Sequence, residues 1–366
     1  MPWKREHRTL LAWLNRSIGG APSPAPAPAE GVLASALAER VLPILSTHPG
    51  LPGEVTQAAS RAALATGVRN AVLLEATRRI AGACDEARVP LVLLKGIDLC
   101  ERVYGNPSLR PMQDVDLLVP EPLRARAVEA LSGVGFRPEE PLGSGTLRRS
   151  VVLSGPPPQR AHIHLHWHLA NASYPLPYAA RIDLEGFRAR TLPWPGAPGQ
   201  ARVPSPEDLA VYLCEHLVKH CCEEWIFAVD LALALRRLPP DPVAFWRIAR
   251  SWGVERICAC ALRIVEGFLP GLGAGDLLAA SGGTPLTFLE HLFVRQVLAG
   301  RRGAGVNWLV YLAHCPTAGA RARQIWRGIF PEPADLAALD PEAAARGIWH
   351  AYAMRVGKAI FRVLGR

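Results

Sequence analysis

The chain has 366 residues, 49% hydrophobic and 20% charged, a balance that excludes a disordered or fibrous protein and leaves room for two or three domains with cores of their own. Its 41 Lys+Arg against 32 Asp+Glu give a net charge of +9, which favours polyanionic partners such as nucleotides, nucleic acid or anionic lipid, although the arginines are scattered as on a solvated surface. No stretch reaches the roughly 18 to 20 uncharged apolar residues that a membrane span needs. The opening MPWKREHRTLLAWLNRS lacks the apolar core of a signal peptide, and the eight cysteines have no compact spacing, so they read as reduced thiols of a cytoplasmic protein.

A short amphipathic helix opens the chain, and GAPSPAPAPAE at 20–30 reads as an extended linker. Helices are expected over 31–47 and 54–87, a short apolar strand over 91–94, a helix over 96–104 and a strand over 114–119. Pro120 then suits the start of a helix reaching residue 133, and two further strands fit 146–153 and 162–169. From Ser205, a good N-cap followed by Glu207 and Asp208 in the first turn, the pattern is helical to the end, broken near 269–275. The expected fold is α+β, a small mixed sheet flanked by helices, followed by an all-helical domain. The expected divisions are 1–30 (helix and linker), 31–88 (helical lead-in), 89–203 (α+β domain) and 204–366 (helical domain). The last twenty residues, basic and amphipathic, are expected to dock on their own domain rather than on an anionic membrane.

The chemistry concentrates in LLKGIDLCERVYGNPSLRPMQDVDLLVP, residues 93–120. Alternate residues of a strand face one way, so Asp114 and Asp116 project together while Val115 packs behind. Two carboxylates that close repel unless a cation lies between them, and Mg²⁺, which takes oxygen ligands and substrate phosphates, is the natural one; Mn²⁺ is the other. Lys95 and Gly96 stand where a strand turns into a helix, a place where backbone N–H groups, a glycine and an ammonium meet phosphate. Arg110 is expected to add a bidentate phosphate contact.

This block resembles the signature of a family of bacterial, mostly uncharacterised nucleotidyltransferase-like proteins in the DNA polymerase β-like nucleotidyltransferase superfamily, which reads roughly LLKG, an apolar helix, Tyr, a small loop, then RPM-x-D-[IV]-D-LLV. The likeness continues through His166-Trp167, through LCEHLVKHCCEEWIFAVD at 213–230, and into Phe330-Pro331 and residues 352–355. It implies a metal-dependent nucleotidyltransferase that moves a nucleoside monophosphate from a nucleoside triphosphate to an acceptor. Asp114 and Asp116 would hold the metal, and Lys95, Gly96 and Arg110 the nucleotide. The family tends to carry a third carboxylate two residues before the His-Trp. Here that position is His164, which can take a proton or ligate a metal but brings no negative charge. His164 is therefore the third expected catalytic residue, with Asp183 and Glu185 as other sources of a carboxylate. The alternative is a catalytically silent nucleotidyltransferase fold acting as a nucleotide-binding or accessory protein. No sequence-specific nucleic-acid binding is expected.

His162, His164, His166 and His168 alternate with Ile163, Leu165, Trp167 and Leu169, so the imidazoles share one strand face. That row is either a polar outer face or places His164, with His166, beside the two aspartates, where a transition-metal site is a further reading. Cys214, His216, His220, Cys221 and Cys222 invite zinc, but they lack an HExxH glutamate and a distant CxxC pair, and packing is the expected role.

Overall fold

The computed structural model describes residues 4–19, 29–139, 149–157, 161–170, 181–196, 199–302, 306–315, 317–330 and 345–363, with residues 333, 336 and 343 between the last two. The Pro/Ala stretch at 20–28 lies outside them. Three helices lead in: α1 (Arg5–Ser17), α2 (Ala29–Ala38) and the long α3 (Gly53–Glu86). The single helix expected over 31–47 is split. Arg40 adopts a positive φ of 57° and Pro43 can give no N–H to a helix interior, so the chain turns into a separate 3₁₀ segment, Leu42–Thr47.

The α+β part follows as β1 (Val92–Leu94), α4 (Gly96–Asp98) continued by a π-helical turn Leu99–Tyr104, β2 (Asp114–Leu118), α5 (Arg124–Gly133), β3 (Arg137–Pro138), β4 (Ser150–Ser154), β5 (His162–His166), α6 (Leu184–Ala189), β6 (Leu192–Pro193) and β7 (Arg202–Val203). The strands form one mixed sheet in the order β3-β4-β5-β2-β1-β7-β6. The β2–β5 and β1–β7 pairs are parallel and the rest antiparallel.

The helical part comprises α7 (Pro206–Lys219), α8 (Trp225–Arg237), α9 (Pro242–Trp252), α10 (Glu255–Phe268), α11 (Ala274–Ala279), α12 (Phe288–Leu298), α13 (Trp308–Ala313), α14 (Ala318–Ile329) and α15 (Ile348–Val363). Ser205 caps α7 by accepting a hydrogen bond from the Asp208 N–H, and Pro206 occupies its first turn. The basic α15 packs on α14, with the Phe330 and Tyr352 rings 6.0 Å apart. Among the described residues no helix is long and apolar enough to cross a membrane.

Two buried clusters lie on opposite faces of the sheet. One joins Leu93, Val115, Leu117, Ile163 and Leu165 to Leu73, Ile80 and Cys84 of α3 and Ala127 and Leu131 of α5. The other takes Val92, Leu94 and Leu118 from the opposite face and joins them to α7, α8 and α10, and also to Leu10, Trp13 and Leu14 of α1. Strand alternation therefore turns Asp114, Asp116, His164 and His166 toward the helical side, where the apolar contacts of the sheet give way to charge.

Candidate active site beneath α7

Asp116 is the focus. It is 7% exposed, whereas Asp114, two residues earlier on the same face, is half-buried. The parallel pairing of β2 with β5 sets Asp116 level with His164 and Leu118 level with His166, so two imidazoles flank one carboxylate. His166 Nε2 lies 2.9 Å from Asp116 Oδ1 and His164 Nδ1 3.8 Å from the same oxygen, with the two rings 4.0 Å apart. The far nitrogen of His164, Nε2, is 2.9 Å from Ser150 Oγ on β4, which fixes the ring's orientation. The row of four imidazoles is thus divided, since His162 pairs instead with Glu139 at 3.2 Å at the sheet margin.

Lys95 completes the cluster. It directly follows β1, whose last residue, Leu94, pairs with Asp116, and its Nζ is 3.3 Å from Asp116 Oδ1. To reach that place its backbone adopts φ 44° and ψ −113°, a left-handed conformation that side-chain-bearing residues avoid at a cost of about 1–3 kcal/mol. Gly96 follows because a Cβ there would stand 2.9 Å from Met112 Sδ and 3.1 Å from Arg110 Nη1. The glycine lets the Arg110–Met112 loop lie against the strand end.

That loop is pinned from α3, whose Asn70 Nδ2 donates to the carbonyls of Pro107 (2.6 Å) and Arg110 (2.7 Å), while Arg69 donates to those of Met112 and Gln113, both at 2.9 Å. Arg110 itself is buried. Its Nε and Nη2 donate to Asp230 of α8 at 2.8 and 2.6 Å, and Tyr104 Oη donates to the same carboxylate at 2.8 Å. The bidentate contact expected to go to phosphate goes to Asp230, leaving Nη1 beside Gly96.

Helix α7 roofs the cluster with Tyr212, Glu215, His216 and Lys219, at spacings that share one helical face. The Lys95 ammonium lies 5.6 Å from the centre of the Tyr212 ring. Burial alone would push that ammonium's pKa down, but Asp116, Tyr212 and Asp114 outweigh it and raise it, so Lys95 stays charged. Burial would likewise raise Asp116; Lys95 and the His166 hydrogen bond, with His164, hold it well below the usual carboxylate range. Asp114 moves the other way, raised by burial and by the repulsion of Asp116. Burial lowers both imidazoles, His166 to about 4, and the Lys95 charge lowers them further against the pull of Asp116. Lys219 is lowered by burial and by Lys95, with Glu215 opposing.

The cysteine–histidine group on α7 packs as expected. Cys214, Cys221 and Cys222 are buried in the helical core, where burial pushes the Cys222 thiol up to about 12. The His216 and His220 rings lie 4.5 Å apart against Phe227. Asp183 caps α6 through the Gly186 N–H, and Glu185 is exposed on the same helix. Residues that sequence patterns did not single out are Tyr212 and Lys219, Ser150, and the loop-holding Arg69 and Asn70. Only the α7 pair carried a signal, a polar i, i+7 stripe on an otherwise apolar helix.

A family model described as "Uncharacterised nucleotidyltransferase" matches residues 29–270. No curated protein matches the chain. A solution structure of the antibiotic-resistance factor ANT(2'')-Ia is similar at 17% identity, over 52% of this chain and 90% of that one, with a TM-score of 0.34, a likeness too distant to transfer any property.

Proposed function

Because the chain belongs to the family described as uncharacterised nucleotidyltransferases, we propose that it binds a nucleoside triphosphate beneath α7 and transfers the nucleoside monophosphate to an acceptor hydroxyl or phosphate, releasing pyrophosphate. The observation that carries this reading is the buried Asp116 with the Lys95 ammonium on it and Lys219 close enough to act on the same groups. Two ammoniums beside the half-buried carboxylate of Asp114 make a charged cluster suited to phosphate oxygens. Lys95 and Lys219 would bind the triphosphate as point charges. His164, oriented by Ser150, turns its Nδ1 toward Asp116 and would help hold the cation that lowers the pKa of the acceptor hydroxyl. A divalent cation, when bound, would neutralise charge on the transferred phosphoryl group. Mg²⁺, expected at Asp114 and Asp116, would meet an Asp116 carboxylate already paired with Lys95 and two imidazoles beside it, and that donor set suits Mn²⁺ or Zn²⁺ better.

A second reading has its own support. Asp116 is already paired with Lys95 and hydrogen-bonded by His166, and among the described residues the ligand atoms that converge on it come from two imidazoles rather than a second carboxylate, as a nucleotide-binding accessory protein without turnover would have it. Calorimetric titration with ATP, GTP, CTP and UTP, with Mg²⁺ or Mn²⁺, separates the readings when paired with a pyrophosphate assay. One triphosphate is expected to bind, about tenfold more weakly in Lys219→Ala, and Asp114→Ala should abolish the metal dependence of binding. Binding without pyrophosphate release selects the second reading, and no binding of any triphosphate removes both.

A further inference from the structure

We propose that Asp116, His164 and His166 form a site for one borderline divalent cation of the Zn²⁺ type, selected against Mg²⁺ by its two imidazoles. Among the described residues this trio is the group whose ligand atoms converge, all within 4.8 Å of one another. Ligands at roughly 2.0–2.2 Å from a tetrahedral ion stand roughly 3.2–3.6 Å apart. The Asp116–His166 and Asp116–His164 separations of 2.9 and 3.8 Å bracket that spacing, so small rotations of two rings close the site. All three residues sit on adjacent strands in parallel register, a rigid platform. Ser150 already holds the outer nitrogen of His164, the orienting contact a metal-binding imidazole needs. Three protein ligands leave a coordination position for water or a substrate oxygen, the donor count of a working rather than a structural zinc site. Without metal, Lys95 is the cation on Asp116 Oδ1, and its flexible side chain must withdraw when the ion enters. The site stands whether or not the bound substrate is a nucleotide.

The test uses the full chain freed of metal with a chelator, titrated with Co²⁺ by visible absorption and with Zn²⁺ and Mg²⁺ by calorimetry. One Co²⁺ per chain should bind with the intense visible bands of low coordination number, be displaced by Zn²⁺, and be unaffected by Mg²⁺. His164→Ala and His166→Ala should each weaken it by about 100-fold or more, and Ser150→Ala by about 10- to 100-fold. His164→Asp should turn the preference toward Mg²⁺, and Lys95→Met should tighten Co²⁺ binding, gains that a misfolded variant would not produce. Absence of Co²⁺ binding overturns the proposal, and so does binding that both alanine variants retain in full. Asp114→Ala should keep Co²⁺ even where it loses metal-dependent triphosphate binding, so this site and the nucleotide reading fail separately.

Discussion

At Lys95 a backbone conformation disfavoured for any residue with a Cβ coincides with an ammonium on the buried carboxylate of Asp116. Strain of this kind persists only where the surroundings fix it, and it concentrates at working sites. Lys95→Gly and Lys95→Ala both delete the ammonium and differ only in the Cβ at φ 44°. The glycine variant should be the more stable by about 1–2 kcal/mol, read as a shift in urea midpoint, while both lose triphosphate binding. Equal midpoints would show that the residue carries no strain. The types and spacing of Lys95, Asp114, Asp116 and His164 were legible because strand alternation is local. The closer partner of Asp116 was not: His166, rather than His164, makes the short contact, because ring orientation depends on Ser150, fourteen residues away on another strand.

Helix α7 shows what one element does for both stability and site. The rings of His216 and of His220 at its C-cap pack edge-on to each other and against Phe227, and burial, with the charges of Lys95 and Lys219, holds both imidazoles below their ordinary range, His220 at about 4. An unfolded imidazole takes its proton near pH 6.5. The folded pKa lies below the unfolded one, so stability from burying these rings neutral is present in full above about pH 6.5 and is lost as pH falls toward about 4. The loss should reach at most about 1.4 kcal/mol per pH unit for each proton. Urea midpoints measured between about pH 7 and pH 5 should fall, and the double variant His216→Gln/His220→Gln should flatten that slope; an unchanged slope would mean that other groups set it. The helix itself was legible from Ser205, Pro206 and its apolar run, as were β1, β2 and β5 from theirs. Pairings of two-residue strands such as β6 and β7 were not, since so few residues carry no periodicity. Nor could periodicity show that α7 would lie over the polar face of the sheet.

Across the whole molecule, the sheet contributes to both apolar clusters, and the helical cluster is completed by α1 and α2 from the other end of the chain. Glu39, which follows α2, accepts from the Trp225 N–H and pairs with Arg302, so early helices are locked to late ones. The tie nearest the site is Arg110 with Asp230, which joins the loop ahead of β2 to α8 across 120 residues and is almost wholly out of solvent. Removing one partner of such a pair leaves an uncompensated buried charge, and Asp230→Ala should cost about 3–5 kcal/mol. Because the tie spans the two clusters, that cost should fall on both. Hydrogen exchange in urea should show peptides from β2 and β5 and peptides from α8 and α10 losing protection together, at a midpoint lowered equally for each set. If the helical peptides unfold earlier while the strands keep their wild-type midpoint, the helical part is an independent unit and Arg110 is free to serve the cleft instead.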